Sequence, residues 1–186
     1  MHVRRTILLF SLSALCASAA AQEPRMDFEE YEPRSTLVVP EHPVHRALYP
    51  FVEVHSHQWG MREWTEGRLD SLIADMDALN LAVMVNLSGS SGETLAETNE
   101  RVRGRHPGRV LLFANISFQG IDEPDWGERT AAQLEKDVRN GAVGLKIFKS
   151  LGFSVTDSTG RRVPVDDPRI DPVWSKCAEL GIPVLI

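Results

Sequence analysis

Cysteine is scarce in this chain: only Cys16 and Cys177 occur. Cys16 falls in a stretch that reads as removable, which leaves Cys177 without a partner. An internal disulfide framework is therefore excluded, whatever the redox compartment. Positive charge is also short. The formal net charge is −6 and no basic stripe appears, which argues against nucleic acid as a partner. No Gly-x-Gly-x-x-Gly follows the first strand-like stretch, and this weakens a dinucleotide-binding reading. What is present is ordinary for a soluble globular protein: 186 residues, with 42% hydrophobic and 25% charged.

Residues 1–21 read as an export signal. Arg4 and Arg5 form a charged start, Ile7 to Cys16 a short apolar core, and Ala17 to Ala21 a small-residue cleavage region before Gln22. The core is too short for a stable membrane anchor. Cleavage would take the net charge from −6 to −8 and place the chain in the periplasm or outside the cell. An uncleaved amphipathic start is the alternative. Bulky Leu15 ahead of Cys16 argues against a lipoprotein signal. Residues 22–50 hold five prolines among many charges and read as an extended arm, with Thr36–Val39 either a short strand or a segment packed along the domain.

The rest of the chain is organised around Phe51-Val52-Glu53-Val54-His55-Ser56-His57-Gln58-Trp59-Gly60. Its apolar start predicts a buried strand, and Gly60 a turn at the strand mouth. Side chains alternate along a strand, so Phe51, Glu53, His55 and His57 are expected on one face. Two imidazoles two residues apart at a strand end can hold one cation from the same side, and neutral imidazole suits zinc and similar ions. A histidine pair arising by chance in a loop is the competing reading.

Downstream, a helix is predicted from Trp64 to Leu81, with Leu69, Leu72, Ile73, Met76 and Leu79 on one stripe and Asn80 as its stop. Ala82–Leu87 reads as a buried strand. Ser88–Gly92 is a loop, either a flexible turn or an anion cradle. Glu93–His106 is the second helix, Arg109–Ile116 the third strand, Arg129–Asn140 the third helix and Ala142–Lys149 the fourth strand. Lys146 sits inside that strand among apolar neighbours. A buried lysine is costly unless it is paired or bound, so Lys146 either snorkels or joins the histidines. Residues 151–165 suggest a small hairpin lid. A fourth helix carries Val173, Trp174, Cys177 and Leu180, with Cys177 read as a buried structural thiol. A fifth strand begins at Ile182.

Alternating strands and helices argue for a parallel α/β sheet, either part of an eight-stranded (β/α) barrel or an open doubly wound sheet. The histidine pair at a strand's carboxyl end favours the barrel. Such a barrel needs about 250 residues. Five strands do not close one, so residues 51–186 are expected to be the N-terminal part of a longer, truncated barrel.

Phe51–His57 resembles the first strand of the amidohydrolase superfamily, in the branch that also holds metal-dependent decarboxylases. Gly141–Lys149 resembles that branch's fourth strand, and Val165–Trp174 with Gly181–Ile186 resembles its next helix and fifth strand. The likeness spans roughly residues 36–186. It implies a partial TIM-type barrel and one or two divalent ions, usually zinc, held by His55 and His57. Lys146 matches the position of a lysine that, carbamylated, bridges two metals in some members. Glu53 departs from the family's Asp. The family's histidines on strands five and six, and its catalytic aspartate on strand eight, would all follow Ile186, so no catalytic residue is assigned. The implied activity is hydrolysis of an amide, ester or lactone in a small-molecule substrate. A decarboxylase of the same superfamily and a non-catalytic exported fragment are the alternatives, and homo-oligomer formation by the full-length form stays open.

Overall fold

Five parallel strands stand in the same order in space as in sequence, and the sheet curls into a half-barrel. This is a computed structural model, and it describes residues 28–186. The expected export signal, residues 1–21, lies outside the described residues. The chain divides into two units after His42. In the first, residues 28–42 form neither helix nor strand. A turn joins Phe28 to Tyr31, and Ser35 bonds locally to Leu37. Thr36–Val39 forms no strand, and Leu37, Val38 and Val39 are exposed.

The second unit runs β1 (Phe51–Ser56), α1 (Glu66–Leu79), β2 (Leu81–Asn86), α2 (Gly92–Arg105), β3 (Val110–Asn115), α3 (Trp126–Arg139), β4 (Ala142–Lys146), α4 (Asp171–Leu180) and β5 (Val184–Leu185). Single-turn 3-10 helices precede α1 at Met61–Glu63 and α4 at Pro168–Ile170. A doubly wound sheet reverses its strand order at a switch point. No reversal occurs here, so the barrel-type arrangement is the one adopted.

Local chemistry accounts for the helix ends. The Thr65 hydroxyl accepts from the Arg68 N–H at 3.2 Å and starts α1. Asn80 takes the left-handed conformation (φ 66°) and stops it. Of the expected stripe, Leu69, Ile73 and Met76 are buried, whereas Leu79 is exposed. α3 starts a turn earlier than the periodicity suggests. Trp126 is buried and donates to the Ser117 carbonyl at 3.3 Å, anchoring that first turn.

The helices cover one face of the sheet. Leu112 packs with Met76, Leu81 and Val102, while Ala114, Leu145 and Ile147 pack with Leu134, Val173 and Cys177. Cys177 is buried, and burial pushes its thiol pKa up, as befits a structural thiol. Leu111 and Phe113 alternate onto the opposite, inner face and are only partly buried. There the Phe113 ring lies over Gly144, where a Cβ would meet the ring at 2.5 Å.

Two expectations are corrected. β1 was expected to be buried, yet Val52 and Val54 are 53% and 63% exposed. The strand pairs only with β2, and among the described residues nothing covers those two valines. Strict alternation along β1 also fails, because its register against β2 shifts between Glu53 and Ser56. The Leu151–Val165 connection does form the expected small hairpin, and it is pinned in place. One antiparallel bridge joins Thr156 to Arg162, and Val163 is fully buried. Arg169 holds the carboxylates of Asp167 and Asp122 at 2.7 and 2.6 Å. Asp122 also accepts from the Ser158 N–H at 2.6 Å, so the hairpin is tied to the β3–α3 loop.

Asp137 on α3 is buried and accepts from the Gly92 N–H at 2.7 Å, at the start of α2. Burial raises its pKa above the ordinary carboxylate value, against these hydrogen bonds. An acid whose pKa is raised by folding stabilises the native state fully below its unfolded pKa. That contribution is lost as pH rises through the folded pKa. Asp137→Asn keeps an oxygen to accept from Gly92 and carries no charge. Its stability relative to wild type should therefore grow as pH rises above about 4, as read by urea unfolding at each pH. A constant difference would show that Asp137 does not titrate in that range.

Candidate metal centre

β1 delivers His55 and His57 to the carboxyl ends of the strands. Their ring centroids are 5.3 Å apart with planes at 68°. Two imidazoles on one tetrahedral zinc, each nitrogen ~2.0–2.1 Å from the ion, bring their ring centres to roughly 5 Å. The two rings therefore stand at a spacing that fits a single cation, despite the register shift between Glu53 and Ser56 that includes His55. Among the described residues no third His, Cys, Asp or Glu joins them. The donor set fits two of the positions that zinc requires.

The His57 ring is held on three sides. Trp59 stacks on it at 5.6 Å with a 9° interplanar angle, and Phe148 lies 5.9 Å away at 30°. Its Nδ1 stands 2.8 Å from the Ser88 hydroxyl at the end of β2. His55 is held through its backbone: the Glu53 carboxylate turns back and accepts from the His55 N–H at 2.7 Å. Glu53 is thus engaged with its own strand.

Lys146 ends β4, beside Asn115 of β3 in register, and is 7% exposed. Its ammonium lies 5.9 Å from the Phe148 ring centre, the same separation as that ring has from His57. Lys146 and His57 thus flank one aromatic ring. Among the described residues Lys146 has no carboxylate partner. Lys149 is exposed. Two other histidines lie away from the pair. His45 adjoins Arg46, which donates to the Ala78 carbonyl at the carboxyl end of α1, at the opposite end of the sheet. His106 bonds Asp70 at 2.7 Å between α1 and α2.

Two asparagines were missed by sequence reasoning. Asn86 is 1% exposed at the end of β2. Its Oδ1 accepts from the N–H groups of Gln58 and Ser88 at 2.9 and 3.0 Å, and its Nδ2 donates to the Gln58 carbonyl at 3.1 Å. One carboxamide thereby fixes both the segment after His57 and the residue that touches its ring. Asn115 repeats the device one strand on, accepting from the Ser90 N–H and donating to the Leu87 carbonyl, both at 2.9 Å. The available signal was a lone polar residue closing each apolar strand. Beside these loops a cavity of about 360 Å³ is lined by Trp59, Arg62, Ser88, Ser90, Thr94 and Asn115, among others.

No protein-family model matches the chain, and no curated protein is significantly similar to it. Among the described residues, no helix is long and apolar enough to cross a membrane.

Proposed function

We propose that this chain is the N-terminal part of a metal-dependent hydrolase of the amidohydrolase type, acting on an amide, ester or lactone in a small molecule. The observation that carries this reading is the pair of imidazoles 5.3 Å apart at the carboxyl end of a barrel-type strand. The resemblance of Phe51–His57 to the first strand of that superfamily supports it. When bound, a divalent ion supplies Lewis-acid polarisation of a carbonyl and acidification of water.

The chain's own residues have limited tasks in this scheme. His55 and His57 offer ring nitrogens to the ion. Trp59 and Phe148 wall the His57 ring with apolar surface. Lys146 is the candidate bridge to a second ion, a task that would require its amine to be carbamylated by carbon dioxide, since a neutral amine has a single lone pair.

Isothermal titration of the metal-free chain with zinc tests the reading directly. One ion per chain is expected, or two if Lys146 serves as a bridge, falling to one in Lys146→Met. No saturable binding would remove the proposal. With the full-length protein, released amine or alcohol supports hydrolysis, whereas released carbon dioxide assigns a decarboxylase on the same histidines.

A further inference from the structure

We propose that Ser88 is a positioning residue that selects the ring nitrogen through which His57 meets its ion, an inference that rests on the divalent-ion reading of the histidine pair. The Ser88 hydroxyl stands 2.8 Å from His57 Nδ1. A hydroxyl at that distance occupies Nδ1, so only Nε2 can act as a ligand. A lone pair on Nε2 requires the proton of the neutral ring to sit on Nδ1, from where it donates to Ser88 Oγ. Free imidazole side chains prefer the opposite tautomer. Ser88 accepts that proton when Nε2 carries the ion, and the same hydroxyl can donate to Nδ1 when Nε2 carries the proton instead.

The hydroxyl is not on a loose turn. The Ser88 N–H is bonded to the Asn86 carboxamide, and that same oxygen takes the Gln58 N–H next to His57. On its other side, Gly89 lies so close to the Phe113 carbonyl and the Leu112 side chain that a Cβ there would collide. The Ser90 N–H is held by Asn115 at 2.9 Å. The parallel Trp59 ring then limits turning of the imidazole out of this hydrogen bond. Position 88 is thus fixed relative to both ends of the contact, which an incidental surface hydroxyl would not be. An outer partner of this kind orients a ligating histidine and raises its basicity.

The test measures the imidazole nitrogen chemical shifts of His57 in the zinc-loaded chain by NMR, and zinc affinity by calorimetry, in wild type, Ser88→Ala and Ser88→Thr. The wild type should show zinc on Nε2 and the proton on Nδ1. Ser88→Ala should let Nδ1 compete for the ion and weaken zinc binding about tenfold. Ser88→Thr, which keeps the hydroxyl, should restore both. A wild-type His57 that binds zinc through Nδ1, or an alanine variant with unchanged ligating nitrogen and affinity, overturns the assignment of Ser88 alone. Zinc binding that survives loss of both histidines overturns the ion reading, whatever the tautomer.

Discussion

Alanine at both His55 and His57 should abolish zinc binding and leave the fold intact. Both rings are exposed and neither belongs to a buried apolar cluster of the half-barrel, so their removal forms no cavity. Exposed substitutions of this kind usually change stability by within about 0.5 kcal/mol. The melting temperature should accordingly move by only ~1–2 °C at this chain length. Binding should respond very differently. The two imidazoles are the only His, Cys, Asp or Glu donors grouped there among the described residues, and removing both leaves no nitrogen site. Each single variant should lose more than the roughly tenfold to hundredfold typical of an outer-shell contact. The contrast between an unmoved melt and an abolished isotherm is the informative result. Equal metal content in wild type and the double variant would end the metal reading.

Asn86→Ala should act on the same centre from the protein side and cost far more stability. The carboxamide makes two bonds to Gln58, one to the Ser88 N–H and one to the Met61 thioether at 3.3 Å. Truncation strands two backbone donors and a backbone acceptor close to the core. Each buried group left unsatisfied costs about 1–3 kcal/mol, and water can reach part of this region. A net loss of about 2–4 kcal/mol is expected, which lowers the melting temperature by roughly 5–15 °C. Zinc affinity should fall as well, because the loops carrying His57 and Ser88 lose their common tie. A melt indistinguishable from wild type would show that the backbone turns hold themselves without Asn86.

The resemblance and the observed sheet agree on architecture, but they rest on different grounds. The likeness to the amidohydrolase first strand is carried by a handful of residues around His55. The half-barrel is carried by the pairing of β1 through β5 in sequence order. The second would stand without the first. The chemistry would not, because a parallel half-barrel alone supports many activities.

Periodicity made several elements legible. Apolar runs located β2, β3 and β4, and the stripe Leu69, Ile73 and Met76 located α1. These readings succeeded because side-chain direction along a strand or helix is a local property of the backbone. The rings of His55 and His57 do lie close, with centroids 5.3 Å apart, although the β1 register shifts between Glu53 and Ser56 and regular alternation does not account for it.

What only the tertiary structure decided was every question of who stands next to whom. Local alternation is the same in a barrel and in a doubly wound sheet, so strand order had to come from pairing. The exposure of Val52 and Val54 depends on neighbours that β1 cannot specify by itself. Asn86 and Asn115 read as polar ends of apolar strands until the fold carried the loops of adjacent strands onto their carboxamides. Ser88 lies 31 residues from His57 in the chain and 2.8 Å from its ring in space. Such contacts follow from how the whole sheet is assembled, and sequence spacing records only the part of that assembly that one element can determine alone.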